Sequence, residues 1–523
     1  MRTLARLGAY AASATIAVTG TLVAAPSAQA VPLTNPVGVT TGSSWLARQL
    51  TDGVVHNRQY DYDDYGLSID VGLALDAVGG NDATVQAIST KLAANINGYS
   101  APTSATKAGI FALAAGANPS SYGGKNLVSI VSDAIATTSP IQGRLLGNSD
   151  EANDFASTIT QAYAVHLLSS ASDAKAASAT SFLLDQQCPN GGFRQGFSAR
   201  SATEQGCTSA ADAGVDSTAI ALLQLEELSS PSSDVTTAIA NGKAYLTGVQ
   251  SSDGSWGGGA GTSPSNANST GLAAWAIGNS AESAKAARWI RVRQASSYDR
   301  CDALWPSLGA VSYDSTALFA GRSDGLSVNT EDQYRRATAQ ALVALSYLPA
   351  DSTPSAPVLT GPSGYQKAGD SVTLRTTGIQ ARDQLCLFGP GTRAQGLTTG
   401  TSWDSKVKLP SGTATRSYSV RDADGHVCTT SVKVLGAKTL AVKVSPTSVR
   451  TGRTVTATVS GLAPNEVASV HLGSTRVDSG RAGADGVFTA TFSSGSATGR
   501  QTVTGYGRFT DIRRGSATLT VVR

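Results

Sequence analysis

The sequence predicts a multidomain chain in which an all-α region with six inner helices precedes two all-β sandwiches. Three observations support this fold class. A helical motif recurs six times between residues 44 and 348, a Pro/Ser-rich stretch follows at 349–357, and short alternating strands with Gly turns fill the remainder. The 523 residues are enough for about three domains. Hydrophobic residues make up 41% of the chain and charged residues 15%, which excludes wholesale disorder.

The first 30 residues have the pattern of a secretory signal peptide. Arg2 and Arg6 form a positive n-region, residues 7–25 are uncharged and apolar, and Ala28-Gln29-Ala30 is an A-x-A cleavage site. We therefore predict a secreted, extracellular chain that begins at Val31 and has no transmembrane segment after cleavage. A membrane anchor is the alternative, which the Ala, Ser and Thr content and the processing signal disfavour.

The recurring motif places a Ser or Thr seven residues before an aliphatic residue within an Ala-rich run. Seven residues are two helical turns, so both side chains lie on one face of a helix. Six inner helices are implied by the six pairs, which are Ser68/Leu75, Thr106/Leu113, Thr158/Val165, Thr218/Leu225, Thr270/Ile277 and Thr338/Leu345.

A second motif interleaves with the first and consists of Gln, Gly four residues later and a bulky residue two further on. Its copies are Gln49-Gly53-Val55, Gln187-Gly191-Phe193 and Gln250-Gly254-Trp256, and each follows an aromatic-aliphatic helix end. We predict that the Gln amide bonds free carbonyls at a helix C-terminus, that the Gly takes a left-handed turn and that the bulky residue closes the loop.

Together the motifs describe helix, Gly-turn and helix units that resemble the Gln-Trp repeats of the terpenoid cyclase and protein prenyltransferase superfamily. The best copy is Ala244-Tyr245-Leu246 followed by the segment from Gln250 to Trp256. The resemblance implies an all-α (α/α)6 toroid over 31–350, with six inner helices ringed by six outer ones. The same toroid also serves complement-type thioester domains and cobalamin carriers, so it identifies no function by itself.

Two sets of short strands follow the linker and predict two all-β immunoglobulin-like sandwiches, over 355–436 and 437–523. They resemble the immunoglobulin-like modules of bacterial surface proteins. Residues 351–523 carry 20 Lys and Arg against 10 Asp and Glu, whereas 31–350 carry 18 against 27. Because the basic residues are scattered singly, we predict weak attraction to anionic cell-wall polymers and no nucleic-acid readout. Solvated spacers are the alternative.

Five cysteines fit an oxidising compartment, where disulfides persist. Cys188 and Cys207 lie 19 residues apart in one Gly-rich loop, and Cys386 and Cys428 lie 42 apart in a strand-rich segment. Proximity in sequence therefore predicts these two disulfides and leaves Cys301 free.

Asp61-Tyr62-Asp63-Asp64 spells D-x-D-D, which in class II terpene cyclases supplies the acid that protonates an alkene. The match departs from that motif, because Tyr65-Gly66 follows where the cyclases continue Thr-Ala. Aromatic residues are 6% of the chain, few for a pocket that must stabilise carbocations. The alternative function is thus an isoprenoid or terpene cyclase-like enzyme, in which the catalytic residues would be Asp61, Asp63 and Asp64. The simpler interpretation is that Asp64 caps a helix beginning near Leu67.

No metal site is predicted and the cofactor is unknown. Asp299-Arg300-Cys301 supplies half of a prenyltransferase zinc site, but no His follows Cys301 before the linker. Our leading hypothesis is a secreted, cell-envelope-associated binding protein whose toroid holds a small molecule, for instance a corrinoid, or a glycan. Trp256 and Trp275 are the predicted ligand-binding residues, since they can line the toroid mouth and stack on a ligand. Packing inside the repeats is the alternative for both.

Overall fold

The computed structural model describes residues 34–259, 264–350, 357–379 and 384–523. The chain divides into two compact units, Met1–Thr353 and Pro354–Arg523. The predicted signal peptide, 1–30, lies outside the described residues, as does 351–356 of the linker. Within the described ranges, no helix combines the length and apolar character that crossing a bilayer requires.

Twelve of the thirteen α-helices in the described part of the first unit form two rings. The inner helices are α2 (Tyr65–Val78), α4 (Pro102–Ala114), α6 (Thr158–Ser170), α8 (Val215–Glu226), α10 (Ala267–Ile277) and α13 (Glu331–Ala341). The outer helices are α1 (Val37–Arg48), α3 (Asp82–Ala94), α5 (Leu127–Asp133), α7 (Ala176–Leu184), α9 (Ser233–Gly248) and α11 (Ala281–Arg291). The remaining helix, α12 (Ser315–Asp324), is inserted before α13.

The inner helices pack in chain order, and α13 packs against α2, which closes the ring. Each of α3, α5, α7, α9 and α11 packs on the inner helix before it, while α1 packs on α13. The (α/α)6 toroid is therefore confirmed, and the six motif hydroxyls lie on the six inner helices or at their first residue.

Glycines let neighbouring inner helices approach closely. A Cβ at Gly109 would stand 2.5 Å from the Leu167 side chain, and one at Gly271 would stand 2.3 Å from the Gln340 carbonyl oxygen. The contact between α10 and α13 therefore requires glycine, because the obstacle is backbone, whereas a larger residue at position 109 would force the Leu167 side chain to move.

The two sequence motifs are joined by hydrogen bonds that the sequence did not reveal. The motif hydroxyl of four inner helices accepts a bond from the backbone N–H of the bulky residue in the preceding loop. The pairs are Val55 to Ser68 at 2.8 Å, Phe193 to Thr218 at 2.7 Å, Trp256 to Thr270 at 3.0 Å and Val311 to Thr338 at 2.8 Å. Each loop is thereby fastened to the inner helix that follows it.

Two of the three motif Gln side chains tie their loop to the next outer helix, whereas Gln49 Nε2 donates to the Trp45 carbonyl in the last turn of α1, as predicted. Gln187 Nε2 donates to the carbonyls of Gly191 and Ala238, and Gln250 Nε2 donates to those of Gly254 and Glu282. The motif glycines have the predicted left-handed conformation, with φ of 81° at Gly53, 89° at Gly191 and 94° at Gly254.

Two small sheets complete the described first unit. One comprises β1 (Leu50–Thr51), β2 (Val54–Asn57) and β3 (Tyr62–Asp64), which pair antiparallel. The other pairs β4 (Phe193–Arg194) with β5 (Ala213–Gly214). The β2–β3 hairpin carries the D-x-D-D segment to the start of α2.

The second unit contains two β-sandwiches, as predicted. The first is built from β6 (Val358–Thr360), β7 (Tyr365–Lys367), β8 (Ser371–Thr377), β9 (Gln384–Gly389), β10 (Thr392–Leu397), β11 (Ser402–Lys408), β12 (Ala414–Asp422) and β13 (Val427–Leu435). Its sheets have the orders β10-β9-β12-β13-β7 and β11-β8-β6. A core that includes Leu374, Tyr418 and Val432 lies between them.

The second sandwich is built from β14 (Lys438–Thr439), β15 (Ala441–Ser445), β16 (Ser448–Arg450), β17 (Thr454–Ser460), β18 (Val467–Leu472), β19 (Thr475–Arg481), β20 (Val487–Ser493), β21 (Gly499–Tyr506) and β22 (Arg513–Val522). One sheet has the order β14-β22-β21-β18-β19, with β16 also on β22, and the other is β15-β17-β20. Val455, Val470 and Leu519 belong to its separate core.

The cysteine pairing was predicted correctly in one loop and wrongly elsewhere. Cys188 and Cys207 are bonded, as predicted. The pairing of Cys386 with Cys428 is wrong, because Cys428 is a free thiol while Cys386 and Cys301 are both disulfide-bonded.

Sheet register explains the error. Cys386 on β9 is opposite Arg421 of β12, and Cys428 on β13 is opposite Val420 of the same strand. Adjacent residues of a strand point to opposite faces, so the two cysteines lie on opposite faces of the sheet. They are also two strands apart, about 9.6 Å, which exceeds the reach of a disulfide.

Candidate functional site

The ring axis of the toroid is the candidate site. In the middle turns of the inner helices, the least buried residues recur every three or four positions, for example Gly66, Asp70 and Leu73 on α2. Because neighbouring and outer helices cover the other sides, this face borders the axis. The polar and aromatic members, which we term the axial residues, are Asp70, Lys107, Tyr163, His166, Asp216, Asn268, Trp275, Asp332 and Arg336.

Three successive inner helices meet at a half-buried ion pair. Lys107 Nζ of α4 lies 2.6 Å from Asp70 Oδ1 of α2 and donates to the Gly66 carbonyl at 3.0 Å. Burial alone would lower the pKa of Lys107, but Asp70 and the nearby Tyr163 and Tyr99 outweigh it and raise that pKa. Burial raises the pKa of Tyr163 to about 12. At neutral pH the axis thus presents an ammonium and a neutral phenol, both hydrogen-bond donors.

A second feature is a group of unpaired acceptors on the other half of the ring. Asp216, Asn268 and Asp332 are each the second residue of an inner helix, on α8, α10 and α13, and α10 packs against both of the others. The Oδ1 atom of each is buried and has no hydrogen-bond partner among the described residues. Burial also raises the pKa of Asp216, although the Ser269 hydroxyl opposes that shift. Among the described residues, four buried carboxylate or amide oxygens have no partner, and these three lie on the axial face, so we interpret them as ligand acceptors.

The opposite end of the axis carries a histidine and a tryptophan. His166 Nδ1 lies 2.9 Å from Gln224 Oε1, and burial lowers the pKa of His166, which favours the neutral imidazole. Trp275 is half-buried on the axial face of α10. These residues offer a hydrogen-bonding ring and an aromatic face.

The structure separates the two predicted tryptophans. Trp256 is wholly buried, and its Nε1 donates to the Leu246 carbonyl at 2.8 Å. Its prediction as a stacking residue at the toroid mouth is wrong, because the indole lies in the core behind the inner ring. Trp275 remains a predicted ligand-binding residue.

The D-x-D-D carboxylates are all engaged by nearby groups. Asp61 lies at the tip of the β2–β3 hairpin with its side chain 95% exposed, 3.2 Å from His56 Nε2. Asp63 Oδ1 lies 3.0 Å from His56 Nδ1. The hydrogen bond to Asp63 is the main reason that the pKa of His56 is raised.

Asp64 has the structural role proposed as the simpler interpretation. Its Oδ1 accepts from the Leu67 N–H at 2.8 Å and so caps α2. Its Oδ2 accepts from Arg336 Nη2 at 2.5 Å. Arg336 was missed in sequence because it stands 272 residues away, with no local pattern that pairs it with Asp64.

A neighbouring ion-pair network joins the β2–β3 hairpin to α13. Arg58 pairs with the buried Glu331, and Arg335 Nη1 lies 3.2 Å from the same carboxylate. Burial would raise the pKa of Glu331, but the two guanidinium groups hold it below its usual value. Within the described ranges, no group of three or more His, Cys, Asp or Glu side chains is arranged to hold a metal ion.

No protein-family model and no curated protein matches the chain. Among solved structures, the type II terpene cyclase MstE from Scytonema is 11% identical, with 59% of this chain and 96% of that chain covered and a TM-score of 0.41. The human OSCAR ligand-binding domain is 14% identical over 31% of this chain and 97% of its own, with a TM-score of 0.23. The fibronectin(III)-like modules of Clostridium thermocellum CbhA are 13% identical over 31% and 92%, with a TM-score of 0.20. Similarity at this level supports no inference about activity.

Proposed function

We propose that this chain is a secreted, cell-envelope-associated binding protein that holds a polyhydroxylated ligand, a glycan, along the toroid axis. The observation that carries the proposal is the set of unpaired Oδ1 atoms of Asp216, Asn268 and Asp332. Sugar hydroxyls are donors of the right kind for these acceptors. Lys107 and Arg336 already bond Asp70, Asp64 and Asp332, so only their remaining N–H groups are left as donors to sugar oxygens. Trp275 offers a face on which a sugar ring stacks.

The alternative, an isoprenoid cyclase, needs a toroid axis lined by different side chains. Carbocations are stabilised by aromatic faces, whereas the axis presents three carboxylates, two cations and an amide beside the aromatic side chains of Tyr163 and Trp275. The D-x-D-D carboxylates bond His56, Arg336 and the start of α2. Incubation with a linear polyprene and mass analysis of the products tests this alternative, and a cyclised product lost in Asp63→Asn would establish it.

Attachment to the cell envelope is the second part of the proposal. The excess of 20 basic over 10 acidic residues in 351–523 supports attraction to phosphate- or carboxylate-bearing wall polymers. Their scattered placement among strands gives no support to nucleic-acid readout.

The test of the axial site uses two asparagines with opposite roles. Asn268→Ala removes an acceptor without a protein partner, so it should weaken glycan binding about tenfold or more while stability is retained. Asn126→Ala removes the cap of the outer helix α5, which accepts from the Ser129 N–H, so it should lower stability by about 1 kcal/mol and leave binding intact.

Binding would be measured by native mass spectrometry of the secreted chain and by calorimetric titration with the glycan found there. Equal binding by wild type and Asn268→Ala would exclude the axis as the site. A co-purifying ligand without hydroxyl groups would exclude the proposed ligand class.

A further inference from the structure

A cleft lies between the two sandwiches of the second unit. Its volume is about 290 Å³. Tyr365 of β7 and Lys433 of β13 line one wall, and Arg481 at the end of β19 and Arg508 after β21 line the other. We call it the basic cleft.

One hydrogen bond joins the two sandwiches at the basic cleft, and two more fix the second wall within its own sandwich. The Tyr365 hydroxyl donates to the Pro464 carbonyl at 2.8 Å, and Arg481 Nη1 donates to the Asn465 carbonyl at 3.1 Å. The Arg508 N–H donates to Glu466 Oε1 at 3.1 Å.

Glu466 is itself fixed by a buried partner. Arg513 Nε lies 2.7 Å from Glu466 Oε1 and Nη2 lies 2.8 Å from Oε2. Arg513 Nη1 also donates to the carbonyl of Gly436, which follows the first sandwich. The cleft is thus formed before any ligand arrives, which reduces the entropy that binding must overcome.

The positive charge of the basic cleft is not neutralised by the protein. Lys433, Arg481 and Arg508 are exposed, and no carboxylate within the described ranges forms an ion pair with them. Glu466, next in sequence to the lining residue Asn465, is engaged by Arg513, and Asp511, three residues after Arg508, is engaged by Lys367. Three like charges around one cleft repel one another, so an anion between them is favoured.

We propose that the basic cleft binds the phosphate groups of a polyol-phosphate wall polymer. Guanidinium groups bind phosphate through paired N–H bonds, and Lys433 adds a point charge. Tyr365 is the one aromatic side chain of the lining, and it already contacts Lys433 Nζ, 5.8 Å from its ring. Single-stranded nucleic acid needs a series of aromatic faces, so it is the less suitable polymer. This inference rests on the proposed electrostatic attachment and gives it a location.

The experiment compares two triple variants of the full secreted chain that lose the same charge. The cleft variant combines Lys433→Gln, Arg481→Gln and Arg508→Gln, which removes the three cations that line the cleft. Lys443→Gln with Arg476→Gln and Arg500→Gln removes three exposed cations elsewhere on the second sandwich. Poly(glycerol phosphate), inorganic phosphate and a DNA oligonucleotide are titrated calorimetrically at low salt, and circular dichroism checks the fold of each variant.

We expect the cleft variant to bind poly(glycerol phosphate) about tenfold more weakly than wild type, and the control variant to lose about threefold or less. Equal losses would overturn the cleft while leaving a diffuse attraction intact. Wild-type retention on cell walls without polymer binding would also overturn the cleft alone, whereas failure of both would overturn the attachment itself. Inorganic phosphate bound as tightly as the polymer, or DNA bound more tightly, would overturn the proposed ligand.

Discussion

His56 stabilises the hairpin that carries the D-x-D-D segment, through bonds from its two ring nitrogens to Asp63 and Asp61. These bonds favour the imidazolium and raise the pKa of His56, mainly through Asp63. The ion pairs therefore add to stability below the unfolded value of about 6.5 and are lost as pH rises through the higher folded value.

We expect an NMR titration of His56 to give a pKa above 6.5, and Asp63→Asn to lower that value more than Asp61→Asn does. A titration unchanged in Asp63→Asn would show that the hairpin does not hold this pair in solution.

The same substitution, Asp to Asn, should change the free energy of unfolding in opposite directions at Asp216 and Asp154. Burial raises the pKa of Asp216, so its charge destabilises the fold above that pKa, and Asp216→Asn should raise the free energy of unfolding at pH 7. Asp154 is also buried, but Arg200 and the N–H groups of Ala156 and Gly147 lower its pKa. Its contribution is present above the unfolded pKa and lost as pH falls through the folded one, so Asp154→Asn should destabilise by about 1–3 kcal/mol.

Urea unfolding at pH 7 measures both effects. If Asp216→Asn destabilises as much as Asp154→Asn, Asp216 serves the fold and its place in a ligand site is contradicted. A stabilised Asp216→Asn that has lost glycan binding would support a carboxylate kept for the ligand.

At the scale of the helix, the testable feature is the stability contributed by the motif hydroxyl through its bond to the preceding loop. Thr338 Oγ1 accepts from the Val311 N–H at 2.8 Å, whereas the equally buried Thr158 Oγ1 has no partner among the described residues. Thr338→Val leaves a buried N–H unpaired and should reduce the free energy of unfolding by about 1–3 kcal/mol. Thr158→Val, its matched control, should be close to neutral.

Chemical denaturation followed by circular dichroism measures the difference. Equal losses in the two valine variants would show that the loop-to-helix bond contributes nothing measurable.

The inner helices were predictable because one residue type recurs at a helical spacing that survives changes in loop length. Gln294, which follows α11 but has no Gly four residues later, shows the limit of such patterns. Gln294 donates to the carbonyls of Gly309 and Gly38, as Gln187 and Gln250 donate to a loop Gly and the next outer helix, but its Gly lies 15 residues away, so the spacing was unrecognisable. The bond to Gly38 joins this loop to α1 and closes the outer ring.

The site was less predictable than the fold, because it depends on contacts between distant residues. Asp64 was predicted as a cap from its neighbours in sequence, but its pairing with Arg336 was not. Asp216, Asn268 and Asp332 share a position in their helices, yet nothing in the sequence distinguishes an axial carboxylate from a solvated one. The cysteine error has the same cause, since sequence distance does not report which face of a sheet a residue occupies.

At the scale of the whole molecule, the predicted secretory signal peptide also predicts the residue at which the mature chain begins. Cleavage after Ala30 should leave Val31 as the N-terminus of protein recovered from culture supernatant, and N-terminal sequencing measures it. Recovery only in membranes with residues 1–30 attached would contradict secretion and, with it, the proposed envelope function.

Charge is divided unevenly along the chain, with a net of −9 over 31–350 and +10 over 351–523. An anionic wall should therefore attract the second unit and repel the first. Because exposed charges are screened over about 10 Å at 0.1 M salt and about 3 Å at 1 M, we expect retention of the full chain on purified cell walls to fall steeply between these concentrations.

The control for that experiment uses cell walls that lack phosphate polymers. Walls from which phosphate polymers have been stripped chemically should retain much less of the chain at 0.1 M salt, because the counter-charge of the basic residues has been removed. Retention that is indifferent to both salt and stripping would show that 351–523 is a solvated spacer. Retention lost on stripping but insensitive to salt would point to recognition of the polymer by shape, since screening weakens exposed ionic contacts but leaves buried hydrogen bonds largely unchanged.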